Sequence, residues 1–120
     1  MTDQHPAVVF LRAVHQHAAV LAHQGLGEPY DRVPPVVDAL AVRAARMNYT
    51  PVHPSALLRR IEAEEEILAE HAETKAAFDR AIADPDRVHP ADAGIFIGKY
   101  NAFARAVEAI AKAWGWEAET

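Results

Sequence analysis

The sequence predicts an all-α protein, a four-helix bundle in which the third and fourth helices form a long antiparallel hairpin. Apolar residues recur every three or four positions in four separate segments, which is the spacing of a helix buried on one side. No segment alternates apolar and polar residues as a half-buried strand does, because two prolines break the only β-branched run, residues 33–37. With 120 residues, the chain is expected to form one helical domain, residues 1–120.

Prolines and glycines predict the ends of the first two helices. The first helix is expected at about residues 6–24, since proline suits the first helical turn and Gly25 follows the last apolar position. The second helix is expected at about residues 35–47. Its predicted core-facing stripe is Val37, Leu40, Ala44 and Met47.

The third helix is predicted at about residues 54–83, because no helix-breaking residue occurs between Ser55 and Ala83. Glu64 and Glu65 interrupt its apolar stripe, so a kink or a protruding middle is expected there. His53-Pro54 precedes this helix, and His5-Pro6 and His89-Pro90 precede the first and the fourth. These histidines are expected to flank or cap helix starts.

The fourth helix, predicted at about residues 90–114, carries the clearest pattern in the chain. Its apolar side chains follow a heptad seam of Phe96, Tyr100, Phe103, Val107, Ile110 and Trp114. A second line consists of small residues, Gly94, Gly98, Ala102 and Ala106. This line is expected to let a neighbouring helix approach closely, and Gly115 is expected to end the helix.

Composition and charge disfavour several functions. The net charge of −5 argues against direct nucleic-acid binding, which needs clustered lysine and arginine. No window approaches the roughly 18 uninterrupted apolar residues of a membrane span. The N-terminal residues lack the basic and apolar regions of a secretory signal, and cysteine is absent. A cytoplasmic protein is therefore expected.

Glutamates on the third helix form the main candidate binding surface. Glu62, Glu66 and Glu70 recur every fourth residue with Glu73 close by, so all four lie on one helical face. Arg59 can relieve Glu62, but no basic residue lies four positions from Glu66 or Glu70. The face is either simply solvated or an acidic surface for a basic partner.

The C-terminal tryptophans are a second candidate. Trp114 completes the apolar seam, whereas Trp116 falls beyond the helix. Trp116 is expected either to anchor a partner or to pack back onto its own bundle.

Motifs for metal binding and catalysis are absent. No two of the seven histidines lie three or four residues apart, and none has a glutamate three positions before it, as the Glu-x-x-His motif of di-iron bundles requires. Helical nucleotide pyrophosphohydrolases carry a Glu-Glu-x-x-Glu motif, but Leu68 and Ala69 occupy the places of its last glutamate. No phosphate-binding glycine loop or nucleophile motif is present. No catalytic residue, metal ligand or cofactor is therefore assigned.

Residues 54–71 resemble a segment of small uncharacterised helical proteins of actinobacteria and actinophages. The shared features are a helix that begins at a proline, an Ile-Leu pair (Ile67 and Leu68) and a following histidine (His71). This chain departs from that pattern by carrying Glu64, Glu65 and Glu66 where basic residues are usual. The resemblance covers 18 of 120 residues and implies no activity.

Three functions remain open. The first is a non-enzymatic helical protein that binds a protein partner through Glu62, Glu66, Glu70, Glu73 and Trp116. It could be a phage-encoded regulator or inhibitor of a host protein, and self-association is left open. The second is a metal-dependent enzyme with histidine and glutamate ligands from different helices. The third is an acidic mimic of nucleic acid that occupies a DNA-binding protein.

Overall fold

Over the residues that the structure describes, the chain folds as an all-α bundle of four helices, as the sequence predicts. The computed structural model describes residues 5–28, 38–49, 53–84, 86 and 89–117. The helices are α1 (Pro6–Gly25), α2 (Ala39–Asn48), α3 (Pro54–Ala83) and α4 (Pro90–Trp114). No helix within the described ranges is long and apolar enough to cross a membrane.

The prolines and glycines act as the sequence predicts at the described helix ends. Proline occupies the first turn of α1 and of α3. His5 also caps α1, because its Nδ1 accepts a hydrogen bond from the Ala7 backbone N–H at 3.1 Å. At the end of α4, Gly115 has a φ of 108° that favours glycine, and the Trp116 N–H returns to the Ala111 carbonyl at 3.0 Å.

Helix α2 differs from the prediction in its start and in its buried face. It begins at Ala39 because Asp38 is extended and its carboxylate accepts the backbone N–H of Leu40 and of Ala41. Residues 35–37, where the sequence predicts its start, lie outside the described residues. The buried side chains are Ala41, Ala44 and Ala45. The expected stripe is wrong at Leu40 and Met47, which are 70% and 74% exposed.

Helices α3 and α4 form the predicted antiparallel hairpin. Trp114, at the end of α4, contacts Glu64 in the first half of α3, whereas Tyr100 stacks on Phe78 in the second half. The expected kink in α3 stays a prediction. The helix is continuous through Glu64, which does not interrupt its buried face. The reason is that Glu64 is itself buried and hydrogen-bonded.

The core lies where α1 and α2 pack against the C-terminal part of α4 and the first part of α3. Its largest fully buried side chains are Leu11, Val14, Leu68, Val107 and Trp114. The seam of α4 faces inward, but its burial decreases toward the N-terminus of the helix, where Phe96, Tyr100 and Phe103 are half-buried.

The first three residues of the small-residue line on α4, Gly94, Gly98 and Ala102, face away from the other described helices. Gly94 and Gly98 are exposed, and a Cβ added at either would meet nothing within 4 Å. The expectation of a close helix contact is therefore wrong at Gly94, Gly98 and Ala102, which are exposed, whereas Ala106 is half-buried.

Candidate functional site

The four predicted binding glutamates lie together on the outward face of α3. Glu62, Glu66, Glu70 and Glu73 are all exposed, and we call this set the acidic ridge. The ridge runs over residues 62–73, so Glu62 and Glu73 lie about 16 Å apart along the helix axis at 1.5 Å per residue. None of the four forms an ion pair with any residue that the structure describes, and no such pair joins Arg59 to Glu62.

The acidic ridge is not required by the fold. Like charges one turn apart on a helix destabilise it by a few tenths of a kcal/mol per pair. The ridge side chains are exposed, so they add nothing to the buried core. Folding therefore gives no reason for four carboxylates on this face.

The other two glutamates of the same segment serve the interior instead. His15 of α1 is 2% exposed, and each of its ring nitrogens faces a carboxylate. Nε2 lies 2.8 Å from Glu64 Oε1, and Nδ1 lies 2.6 Å from Glu65 Oε1. An imidazole donates from both nitrogens only when it is protonated, so simultaneous donation to both carboxylates requires the charged ring.

Glu64 joins three helices through hydrogen bonds. Besides His15 of α1, the Trp114 Nε1–H of α4 donates to Glu64 Oε1 at 2.6 Å. The Arg60 Nε–H donates to Glu64 Oε2 at 2.8 Å, and the guanidinium carbon lies 3.9 Å from the centre of the Trp114 ring. Burial would raise the pKa of Glu64, but the hydrogen bonds from His15, Trp114 and Arg60 outweigh it and lower the pKa below 4.5.

This His15–Glu64 network is built for structure rather than for reaction. The carboxylate has a donor on each oxygen, and the tryptophan ring lies edge-on to the imidazole with 5.9 Å between ring centres. A base or nucleophile needs a face open to substrate. Here the side chains that would react are already bonded to one another and covered.

A second buried histidine lies farther along α3. His71 is 4% exposed and stacks on Tyr100 of α4, with ring centres 5.9 Å apart. Its Nε2 and the Nε2 of His17 are the buried ring nitrogens without a hydrogen-bond partner in the described part of the chain. Burial lowers the pKa of His71, and the charges of His5, Lys75 and Arg12 lower it further.

The described histidines and acids do not form a metal site. No group of three His, Asp or Glu side chains within the described ranges could hold a metal ion. His15, Glu64 and Glu65 come closest in composition. The Glu64 carboxylate faces one ring nitrogen of His15 and the Glu65 carboxylate faces the other, so the three side chains do not converge on one point.

Trp116 packs onto its own bundle. It is half-buried against the core, and its ring centre lies 6.4 Å from that of His5. The His5 Nε2 in turn lies 3.0 Å from Glu108 Oε1 of α4. Of the two expectations for Trp116, packing is what the structure describes, and its role as a partner anchor stays a prediction.

Sequence reasoning found the acidic ridge but missed the His15–Glu64 network. A signal for the network was present, because Glu64 recurs in phase with Leu57, Leu68 and His71 on the core face of α3. His15 is likewise in phase with Leu11 and Ala18 on α1. Two polar residues at core-facing positions of different helices predict a buried pair.

Comparison with known proteins finds no family model, no curated protein and no solved structure that matches this chain. The resemblance of residues 54–71 to small actinobacterial and actinophage proteins therefore stays a prediction.

Proposed function

We propose that this protein is a non-enzymatic helical protein that binds a basic protein partner through the acidic ridge. The observation that carries the proposal is that the glutamates of α3 fall into two groups with different contacts. Glu64 and Glu65 bond His15, whereas the four ridge glutamates are exposed and have no ion-pair partner among the described residues. A cytoplasmic location stays a prediction.

The spacing of the ridge defines the partner it suits. Successive carboxylates lie about one helical turn apart, about 5–6 Å between Cβ atoms. A partner helix with lysine or arginine every three or four residues offers cations at the same interval. A nucleic-acid-binding protein is one such partner, in which case the ridge would occupy the place of a phosphate backbone.

Charge reversal on the ridge tests this proposal. The variant with Glu66→Lys and Glu70→Lys is compared with wild-type protein in a pull-down from the native host, followed by mass spectrometry. We expect the specific prey to be lost while the helical circular dichroism stays unchanged, because the altered side chains are exposed. Adding DNA as a competitor then shows whether the prey is a nucleic-acid-binding protein.

A matched control separates the site from total charge. The variant with Asp86→Lys and Glu117→Lys changes net charge equally at exposed positions outside the ridge, and it should retain the prey. If both variants lose the prey alike, or if neither does, the ridge is not the binding surface.

A further inference from the structure

The outer face of α2 carries apolar and basic side chains that nothing in the described fold uses. Leu40 and Met47 are the two most exposed large apolar residues described, at 70% and 74%. Arg43 and Arg46 lie beside them, are exposed and form no ion pair with any described residue. We call Leu40, Arg43, Arg46 and Met47 the arginine face.

The composition of α2 sets this face apart from ordinary solvated surface. The helix has ten residues and its buried side chains are all alanines, whereas Leu40, Arg43, Arg46 and Met47 are exposed. Exposed large apolar residues grouped with cations are typical of contact surfaces rather than of freely solvated helix.

We infer that the arginine face docks a second copy of this chain, along the outward face of that copy's α3. The inference rests on the proposed function in taking the acidic ridge as a binding surface, and it adds a second copy of this chain as an occupant of that surface. Complementary charge supports this occupant, because Arg43 and Arg46 have no ion pair with a described residue and the acidic ridge carries the opposite charge. The two arginines lie three residues apart, as do Glu70 and Glu73, so two ion pairs can form together.

The outward face of α3 also offers cover for the apolar side chains. Ala69 and Ala76 are exposed beside the ridge and lie seven residues apart, the same separation as Leu40 and Met47. Alanine lets another helix approach closely, so Leu40 and Met47 can pack there. After one contact the first copy still has its ridge free and the second still has its arginine face free, so association closes into a ring or continues as an open chain.

Net charge does not prevent this contact. Each copy carries −5, but at 0.15 M salt the screening length is about 8 Å, so repulsion between distant charges is weak. Pairs in direct contact are screened less. Raising the salt to 1 M shortens the screening length to about 3 Å and should weaken association that depends on these pairs.

Sedimentation velocity on the full chain tests the inference. We expect concentration-dependent association of wild-type protein at 0.15 M salt and a smaller sedimentation coefficient at 1 M salt. The variant with Arg43→Glu and Arg46→Glu, and the variant with Glu70→Arg and Glu73→Arg, should each associate at least about tenfold more weakly, because both place like charges together. Mixing the two should restore complexes, since the first variant keeps the ridge and the second keeps the arginine face.

The control matched to the variant with Arg43→Glu and Arg46→Glu is the variant with Arg105→Glu and Lys112→Glu. It also replaces two basic residues by glutamate, at exposed positions on α4, and should associate like wild type. The inference is overturned by any one of three results. The protein stays monomeric up to about 1 mM, reversing the arginine face leaves association unchanged, or mixing the two variants does not restore complexes. The proposed function fails separately, because it depends on host prey in the pull-down and not on self-association.

Discussion

Glu64 and Glu65, two adjacent residues of α3, differ in how much their ionised carboxylates contribute to the stability of the fold. Glu64 is 9% exposed and accepts hydrogen bonds from His15, Arg60 and Trp114. The Glu65 side chain is 47% exposed and faces only His15 among these groups. When a buried carboxylate is removed, its hydrogen-bond donors are left unpaired. When an exposed carboxylate is removed, water can accept the hydrogen bonds in its place.

We expect Glu64→Gln to destabilise the fold by about 3 kcal/mol, in the range for breaking a buried ion pair. The amide would turn an N–H toward side chains that are themselves donors. Glu65→Gln is the matched control and should cost at most about 1 kcal/mol, because its side chain is nearly half exposed. Urea unfolding of both variants measures the difference, and equal losses would show that the network does not depend on Glu64.

The buried His71 gives the fold a dependence on pH. Its pKa is lowered from 6.5 by burial and by positive neighbours, so the unfolded chain binds its proton more readily than the folded chain does. The contribution of neutral His71 to stability is therefore full above pH 6.5 and is lost as the pH falls through the folded pKa. The lowered pKa of Glu64 acts in the same direction below pH 4.5.

We expect wild-type protein to lose stability as the pH falls from 7.5 to 5, and the variant His71→Phe to lose less. Phenylalanine keeps a ring to stack on Tyr100 but has no proton to gain. Urea unfolding at a series of pH values measures both curves, and their difference isolates His71 from the other histidines. Parallel curves would mean that His71 keeps the same pKa in the folded and unfolded chain.

At the scale of helices, the sequence alone predicts a helix end where that end carries a proline or a glycine, whose backbone conformation is distinctive. Proline at the first turn of α1 and of α3, and Gly115 after α4, are read from the sequence because their effects do not depend on distant partners. Helix α3 follows the prediction over its full range, Pro54–Ala83.

Helix α2 shows where local signals fail. Its apolar residues surround much of the helix, so the alanine face and the stripe of Leu40 and Met47 both fit a helical period. Packing against α1 selected the alanine face. That choice depends on the distance between helices, which the spacing of apolar residues does not encode.

The candidate site likewise has a part that the sequence predicts and a part that it does not. The ridge at Glu62, Glu66 and Glu70 follows from positions within one helix, so the sequence predicts its shared face. The partnership of His15 with Glu64 joins residues 49 positions apart. It depends on how α1 is placed against α3, and a pattern within either helix cannot supply that placement.

At the scale of the whole molecule, the core occupies one end of an elongated protein with extents of 55 × 29 × 23 Å. Among the described residues, the buried side chains on α3 end at Thr74 and those on α4 begin at Val107. Beyond them the hairpin continues over residues 75–83 and 92–106, where no described residue is buried. Ile82, Ile95 and Ile97 are exposed there at 63%, 55% and 47%.

This outer half of the hairpin should open without unfolding the core. The described residues of this outer half are half-buried or exposed, and the Phe78–Tyr100 stack joins its two helices, whereas the inner half carries the buried side chains and is bonded to α1 through Glu64 and His15. We therefore expect backbone amides of residues 75–83 and 92–106 to exchange with deuterium at least about tenfold faster than those of 57–74 and 107–114. Mass spectrometry of peptides from the full chain, at a concentration where it is monomeric, measures both regions together. Equal protection along the hairpin would mean that its outer half draws on contacts beyond the Phe78–Tyr100 stack.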